Sequence, residues 1–159
     1  MTAAQPLPPL TPDEEALARA LPRVIYALPR MLDADLMREQ QLPLIEYMTL
    51  MHLSEAPGRL LRMGELAIAC ELSLSGMTRI VTRLEGQGLV RRIRCDEDAR
   101  GLNAVLTDAG FARLRQAWPS HLASVRRHFF DHLGDIDVAQ LGRALGCVAV
   151  AEGRCPGHE

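Results

Sequence analysis

The stretch Ser73-Leu74-Ser75-Gly76-Met77-Thr78-Arg79-Ile80-Val81-Thr82-Arg83-Leu84 decides how this sequence folds. Ser73 is a good helix N-cap, and Gly88, just beyond the stretch, is a good helix stop. A helix from about Leu74 to Gln87 puts Leu74, Met77, Val81 and Leu84 on one face, at the three- and four-residue spacing of a buried stripe. The opposite face is left with Ser75, Gly76, Thr78, Arg79, Thr82 and Arg83. Taken alone, such a face is usually the solvated side of an amphipathic helix.

Its neighbours change that reading. Upstream, Arg62 to Cys70 reads as a short helix and Glu71-Leu72-Ser73 as the turn after it. Downstream, Leu89 to Arg94 alternates apolar and basic residues as a half-exposed strand does, and Gly101 to Leu106 can return as its partner. The loop between them, Cys95 to Arg100, closes a hairpin. A short helix, a tight turn, a basic helix and a basic hairpin together form the helix-turn-helix arrangement with a wing. Its chemistry suits the major groove of duplex DNA. Arg79 and Arg83 can each offer paired hydrogen bonds to guanine, the hydroxyls of Ser73, Ser75, Thr78 and Thr82 can reach phosphates or base edges, and Gly76 lets backbone approach the sugar-phosphate chain. Arg94 and Arg100 flank the hairpin loop, and Arg100 is the candidate for insertion into a minor groove.

Charge makes this a local matter. The formal net charge of -2 excludes binding through a general basic field. Between Ser73 and Arg100, however, six arginines (79, 83, 91, 92, 94 and 100) face four acids (Glu85, Asp96, Glu97 and Asp98). Three of those acids sit in the wing, where they repel phosphate unless Arg94 and Arg100 pair with them.

The remaining chain supplies the frame. With 159 residues, 48% of them hydrophobic, one compact domain is the expectation. Residues 1–10, with Pro6, Pro8 and Pro9, read as a flexible arm, and 11–159 as the single domain. Thr11-Pro12-Asp13-Glu14 is a capping box opening a helix to about Met37, in which Pro22 and Pro29 predict bends or a break. Pro43 opens a second helix with Leu44, Tyr47, Met48, Met51 and His52 on its buried face. Thr107-Asp108-Ala109-Gly110 opens a long helix whose stripe runs Leu114, Trp118, Leu122, Val125, Phe129, Leu133, with a bend expected at Pro119. A last helix, from about Val138 to Ala151, carries Leu141, Leu145 and Val148, with Gly142 and Gly146 placed for close helix approach. The fold class is therefore mostly α with a small β-hairpin wing: a winged helix-turn-helix lobe at 43–106 with long N- and C-terminal dimerisation helices at 11–42 and 107–151. The terminal stripes are longer than a core of this size can cover, so a second copy of the chain is the expected partner.

At this point the sequence resembles the MarR family, the multiple-antibiotic-resistance type of winged-helix regulators. The resemblance rests on Met63-Gly64-Glu65-Leu66-Ala67, on Leu74 to Arg92, on Asp98-Ala99-Arg100 and on Leu106-Thr107-Asp108-Ala109-Gly110. It implies a homodimer joined through its first and last helices, binding a pseudo-palindromic DNA operator near a promoter as a sequence-specific transcription regulator. It also implies a repressor released by a small, often phenolic or aromatic, effector. By position, Ser75, Gly76, Thr78, Arg79 and Arg83 match the groove-facing recognition residues, Arg100 the wing-tip arginine, and Asp98 the acid that orients that arginine.

Tyr26, Tyr47, Met51, His52 and Trp118 would line a cleft between the lobes for a small aromatic ligand, and core packing explains them equally well. His128 and His132, four apart, have the spacing of metal ligands, but the other ligands are not evident, so neither a metal nor a cofactor is expected. The four cysteines form no CxxC pair and are expected to be reduced. A redox- or metal-responsive regulator of this fold, and a winged-helix protein-interaction module without DNA binding, stand as alternatives. An enzyme is not expected, because the chain has no Gly-rich phosphate loop, nucleophile elbow or paired-acid motif. No run approaches the roughly 18 to 20 apolar residues of a membrane span, and the amino terminus lacks a basic segment followed by an apolar one, so a cytoplasmic location is expected.

Overall fold

The computed structural model describes residues 8–94 and 101–149. Helix α1 spans Pro12–Gln40 and opens on the expected capping box: the Glu14 amide donates to Thr11 Oγ1 at 3.3 Å and the Thr11 amide to Glu14 Oε2 at 2.7 Å. Pro22 and Pro29 do not break it. Each proline removes one bond from the ladder, and the remaining bonds of a 29-residue helix carry the chain across both gaps. Gln41, in the left-handed region at φ 52°, ends it.

Helix α2 (Leu44–Glu55) runs through the middle of the molecule. Its buried residues are Glu46, Tyr47, Thr49, Leu50 and Leu53, whereas Leu44, Met48, Met51 and His52 are only half-buried. The expected single stripe is thus corrected. Helices and sheet cover α2 on several sides, so no single face dominates its sequence.

A third strand was not foreseen. After a 3-10 turn at Pro57–Arg59, residues Leu60–Arg62 form β1, which leads directly into helix α3 (Met63–Ala69). Arg62 is therefore a strand residue rather than the first turn of the short helix. Helix α4 (Leu74–Gly86) follows a turn in which Glu71 takes φ 53°. Strands β2 (Val90–Arg94) and β3 (Leu102–Leu106) form the hairpin, and β1 adds to its free edge, giving an antiparallel sheet of order β1-β3-β2. Val90 pairs with Leu106 and Arg94 with Leu102 across the hairpin, and Leu60 with Val105 on the other side. A three-residue strand has too little sequence for alternation to show, which is why the wing read as two-stranded.

Helix α5 (Asp108–His128) starts where Thr107 ties the hairpin to it. The Thr107 hydroxyl accepts from the Gly110 amide at 3.0 Å and lies 2.8 Å from the Gly88 carbonyl, to which it donates, while the Thr107 amide donates to Leu89 O at 3.1 Å. Gly110 has no alternative here, since a Cβ would lie 2.1 Å from Leu89 O and 2.6 Å from Leu106 Cδ1. The helix stops at His128. Phe129 leaves helical geometry, a 3-10 turn covers Phe130–His132, and Leu133 lies beyond the stripe assigned to it.

The face of α5 turned to its own chain also differs from the apolar stripe. Gly110, Leu114, Ala117 and Ser124 are buried and His121 is half-buried, while Trp118 is 50% and Leu122 37% exposed. Asp35 joins this inner face to α1. Its carboxylate accepts from Ser124 Oγ at 2.7 Å, lies 2.9 Å from His128 Nε2, and pairs with Arg38 at 2.7 Å and Arg127 at 3.2 Å. The Ser124 hydrogen bond, followed by Arg38 and His128, holds the Asp35 carboxyl far below the usual range in spite of its burial.

Helix α6 (Val138–Ala149) packs on no other described element to a substantial extent. Cys70 is a free, half-buried thiol whose pKa burial raises, whereas Cys147, on α6, is disulfide-bonded. The expectation that every cysteine is reduced is corrected at Cys147. The core gathers around Leu36, Tyr47, Leu50, Leu53, Leu66, Met77, Val81 and Leu84, so the helix-turn-helix stands on the floor formed by α2. Among the described residues no helix is long and apolar enough to cross a membrane.

Candidate nucleic-acid interface

Helix α4 projects from that floor because three of its apolar residues, Met77, Val81 and Leu84, are wholly buried. Leu74, expected to be the fourth, is 57% exposed. It occupies the first turn, ahead of the seat formed by α2 and α3, and faces an open groove of about 420 Å³ with Met63, Thr78, Arg92 and Leu102 at the base of the wing.

The remaining face carries the predicted residues, and the structure gives them different tasks. Ser73 is the N-cap: its Oγ accepts from the Gly76 amide at 3.1 Å and lies 3.1 Å from Ser75 Oγ. A Cβ on Gly76 would come within 3.3 Å of Ser73 Oγ, so glycine here also lets the cap close. The Thr78 hydroxyl donates to the Leu74 carbonyl and the Thr82 hydroxyl to the Thr78 carbonyl, both at 2.8 Å. Both threonines therefore present a methyl group and acceptor lone pairs outward, and their hydroxyl protons are spent on the helix.

The two arginines are not equivalent. Arg79 is exposed and has no ion-pair partner among the described residues. Arg83 Nε lies 2.7 Å from Oε1 of Glu46, which is 3% exposed on α2. The sequence presents the pair as two identical readers and gives no sign that Glu46, in the first turn of α2, is buried behind one of them. Arg92 is likewise committed: its Nε and its amide both donate to Glu85 at 2.9 Å, clamping the end of α4 to β2. The Arg92 contacts hold the Glu85 carboxyl below its ordinary value.

Arg94 is exposed at the end of β2, opposite Leu102, where the hairpin leaves the lobe. Cys95, Asp98 and Arg100 lie outside the described residues.

The proposed ligand residues fall into two groups. Tyr47 is fully buried and its ring lies 4.3 Å from that of His121, which is 6.4 Å from Trp118. Met51 and His52 continue α2 and are half-buried. Tyr26, 70% exposed, stands on the outer half of α1. Tyr47 Oη, His52 Nε2 and His121 Nδ1 are buried atoms without a hydrogen-bond partner. Burial pushes the Tyr47 phenol up to about 12 and lowers the His121 imidazole, so both rings are held neutral. His121 is not among the ligand residues expected from the sequence. Among the described residues no group of three or more His, Cys, Asp or Glu converges as a metal-binding set, and the end of α5 at His128 removes the helical spacing of His128 and His132.

An α-helical frame, a tight helix pair with an exposed basic second helix, and a three-stranded wing beside it define a winged helix-turn-helix protein. Comparison with known proteins narrows this. The profile of the MarR family matches residues 40–101. Sco3205, a MarR family transcriptional regulator from Streptomyces coelicolor solved in complex with DNA, is 36% identical over 92% of this chain and 91% of its own, with a TM-score of 0.80. AbsC, a MarR family transcriptional regulator from the same organism, is 40% identical over 90% of this chain and 96% of its own, with a TM-score of 0.78. BldR from Sulfolobus solfataricus, at 24% identity over 88% of this chain and 98% of its own and a TM-score of 0.75, shares the fold. Curated protein sequences give no match. The chain belongs to the MarR family of transcriptional regulators.

Proposed function

We propose that the chain is a repressor that binds a pseudo-palindromic duplex operator as a homodimer, with helix α4 of each protomer in the major groove and each wing against the flanking minor groove. The observation that carries this reading is the outward face of α4, where Ser75, Thr78, Arg79 and Thr82 stand exposed on one side of a helix held firmly by its other side. Sco3205, the relative solved with DNA, supports the same use of the lobe.

Exposed apolar side chains support the second copy. Leu17, Val24, Ile25, Trp118, Val138 and Val148, on the first and last helices and α5, are between 43% and 74% exposed and would be covered by a second copy. Two copies related by a twofold axis put their recognition helices on half-sites about 34 to 36 Å apart, one helical turn of DNA.

A small aromatic effector fits the Tyr47–His121 region. The buried Tyr47 Oη and His121 Nδ1 lack hydrogen-bond partners, and each such atom costs about 1 to 3 kcal/mol, which a ligand hydrogen bond would recover. The ligand residues of this reading are Tyr47, Met51, His52, Trp118 and His121, while Tyr26 stands apart on the exposed half of α1.

The test is footprinting on the DNA upstream of the chain's own coding sequence, repeated at increasing salt and with a panel of aromatic acids and phenols. A protected, twofold-symmetric site whose binding weakens steeply with salt and is released by a subset of the panel is expected. Absence of sequence-specific protection would favour the protein-interaction module instead.

A further inference from the structure

We infer that Glu46 is a positioning residue for DNA reading, holding Arg83 so that its guanidinium is aimed before DNA arrives. The inference rests on the reading of α4 as the recognition helix.

Glu46 sits in the first turn of α2, surrounded by a helix whose other buried members are Tyr47, Thr49, Leu50 and Leu53. A carboxylate in that setting is costly unless a cation meets it. Arg83 is the one cation at ion-pairing distance among the described residues, with Nε 2.7 Å from Oε1. The two ends of the pair differ in exposure: the Glu46 side chain is 4% exposed and that of Arg83 is 56%. The contact is thus made at the inner edge of the guanidinium, and the outer part of the group faces solvent on the same side of α4 as Arg79.

This geometry sets the rotamer of a long side chain in advance. A free arginine loses considerable rotamer freedom when it docks on a base or phosphate, and an arginine already fixed by a buried anion loses less. The pair also joins α4 to α2, so the aim of the last arginine of α4 is tied to the helix on which α4 is seated. Arg79, without such a partner, adapts to the phosphate chain, while Arg83 supplies the rigid contact.

A double-mutant cycle on DNA affinity tests this. The probe is the duplex that the wild-type chain selects from a random-sequence pool, together with its single-base variants, and the proteins are wild type, Glu46→Gln, Arg83→Ala and the double variant. Glu46→Gln is expected to weaken binding about tenfold, with discrimination lost at the same base pair as in Arg83→Ala. The double variant is expected to bind within about twofold of Arg83→Ala alone, since Glu46 acts through Arg83. A purely structural Glu46 would give multiplicative losses spread evenly over all base variants, and that outcome overturns the inference. Tighter binding by Glu46→Gln overturns it too, because Glu46 would then compete with phosphate for Arg83. Glu46→Asp, which keeps the charge but withdraws it by one methylene, lowers discrimination at the same base pair by a smaller factor and serves where the glutamine variant fails to fold. Unchanged binding by Glu46→Gln beside a functional wild type overturns the inference alone. A wild type that selects no duplex overturns it along with the DNA-binding reading.

Discussion

Replacing Gly110 by alanine tests how the wing is joined to α5. The added Cβ would lie 2.1 Å from the Leu89 carbonyl oxygen, more than an ångström inside ordinary contact, and 2.6 Å from Leu106 Cδ1. The leucine methyl can rotate away, but the carbonyl cannot move alone. It accepts from the Thr107 amide at 3.1 Å and lies 3.0 Å from the Thr107 hydroxyl, so shifting it loosens the joint that starts α5. Overpacking a fixed site costs about 1 to 3 kcal/mol, and one or two weakened hydrogen bonds add about 1 kcal/mol each. The expected loss is about 2 to 5 kcal/mol, or roughly 4 to 20 °C in Tm for a chain of this size. Urea unfolding followed by far-UV circular dichroism, at one fixed protein concentration because the proposed homodimer would add to stability, measures it. Gly64→Ala is the control: nothing lies within 4 Å of its added Cβ, and its stability changes little or rises. A loss below about 1 kcal/mol for Gly110→Ala would refute the joint as described.

Three further outcomes are expected. Arg79→Ala weakens binding to the selected duplex by about 1 to 3 kcal/mol and leaves the urea midpoint unchanged, since Arg79 has no partner to lose; a shifted midpoint would count against its being free. Asp35 has its folded pKa depressed, so its stabilising contribution is fully present above the unfolded value near 3.8 and fades as pH falls below it. Acid unfolding of Asp35→Asn is therefore less steep than that of the wild type in that window, and identical slopes would remove the Asp35 cluster from the account. In the folded chain a tyrosine ionises only near 12, and Tyr47→Phe abolishes that late step in an ultraviolet titration; because the shift is upward, the associated stability is lost as pH rises past the ordinary tyrosine value near 10.

The helices and their caps were legible because local chemistry fixes them. Thr11, Ser73 and Thr107 each cap the helix their sequence announces, and Met77, Val81 and Leu84 are buried as their spacing requires. The failures share a cause, which is that burial is decided by neighbours distant in sequence. Glu46 is hidden because α4 supplies Arg83, 37 positions further on. Ser124 is buried because Asp35 meets it from α1, while the more apolar Trp118 and Leu122 turn outward. β1 becomes a strand because β3 offers it an edge. The outward face of α4 could be read as a set, yet the division of labour between Arg79 and Arg83 required knowing what stands behind each.

The two prolines of α1 carry a consequence for how the chain opens locally. Pro22 and Pro29 have no amide hydrogen, so the carbonyls of Ala18 and Ile25 lack the usual helical donor four residues on. Every residue from Pro12 to Ala27 is exposed in the single chain, so little packing offsets those missing bonds. Local opening of this segment therefore costs little while the chain is alone, and its amides exchange with solvent far faster than those of α2. In the proposed homodimer a second copy would cover Leu17, Leu21, Val24 and Ile25, and opening would first require separating the two chains. Amide exchange along the outer half of α1 would thus report the proposed assembly, at a distance from the proposed recognition helix.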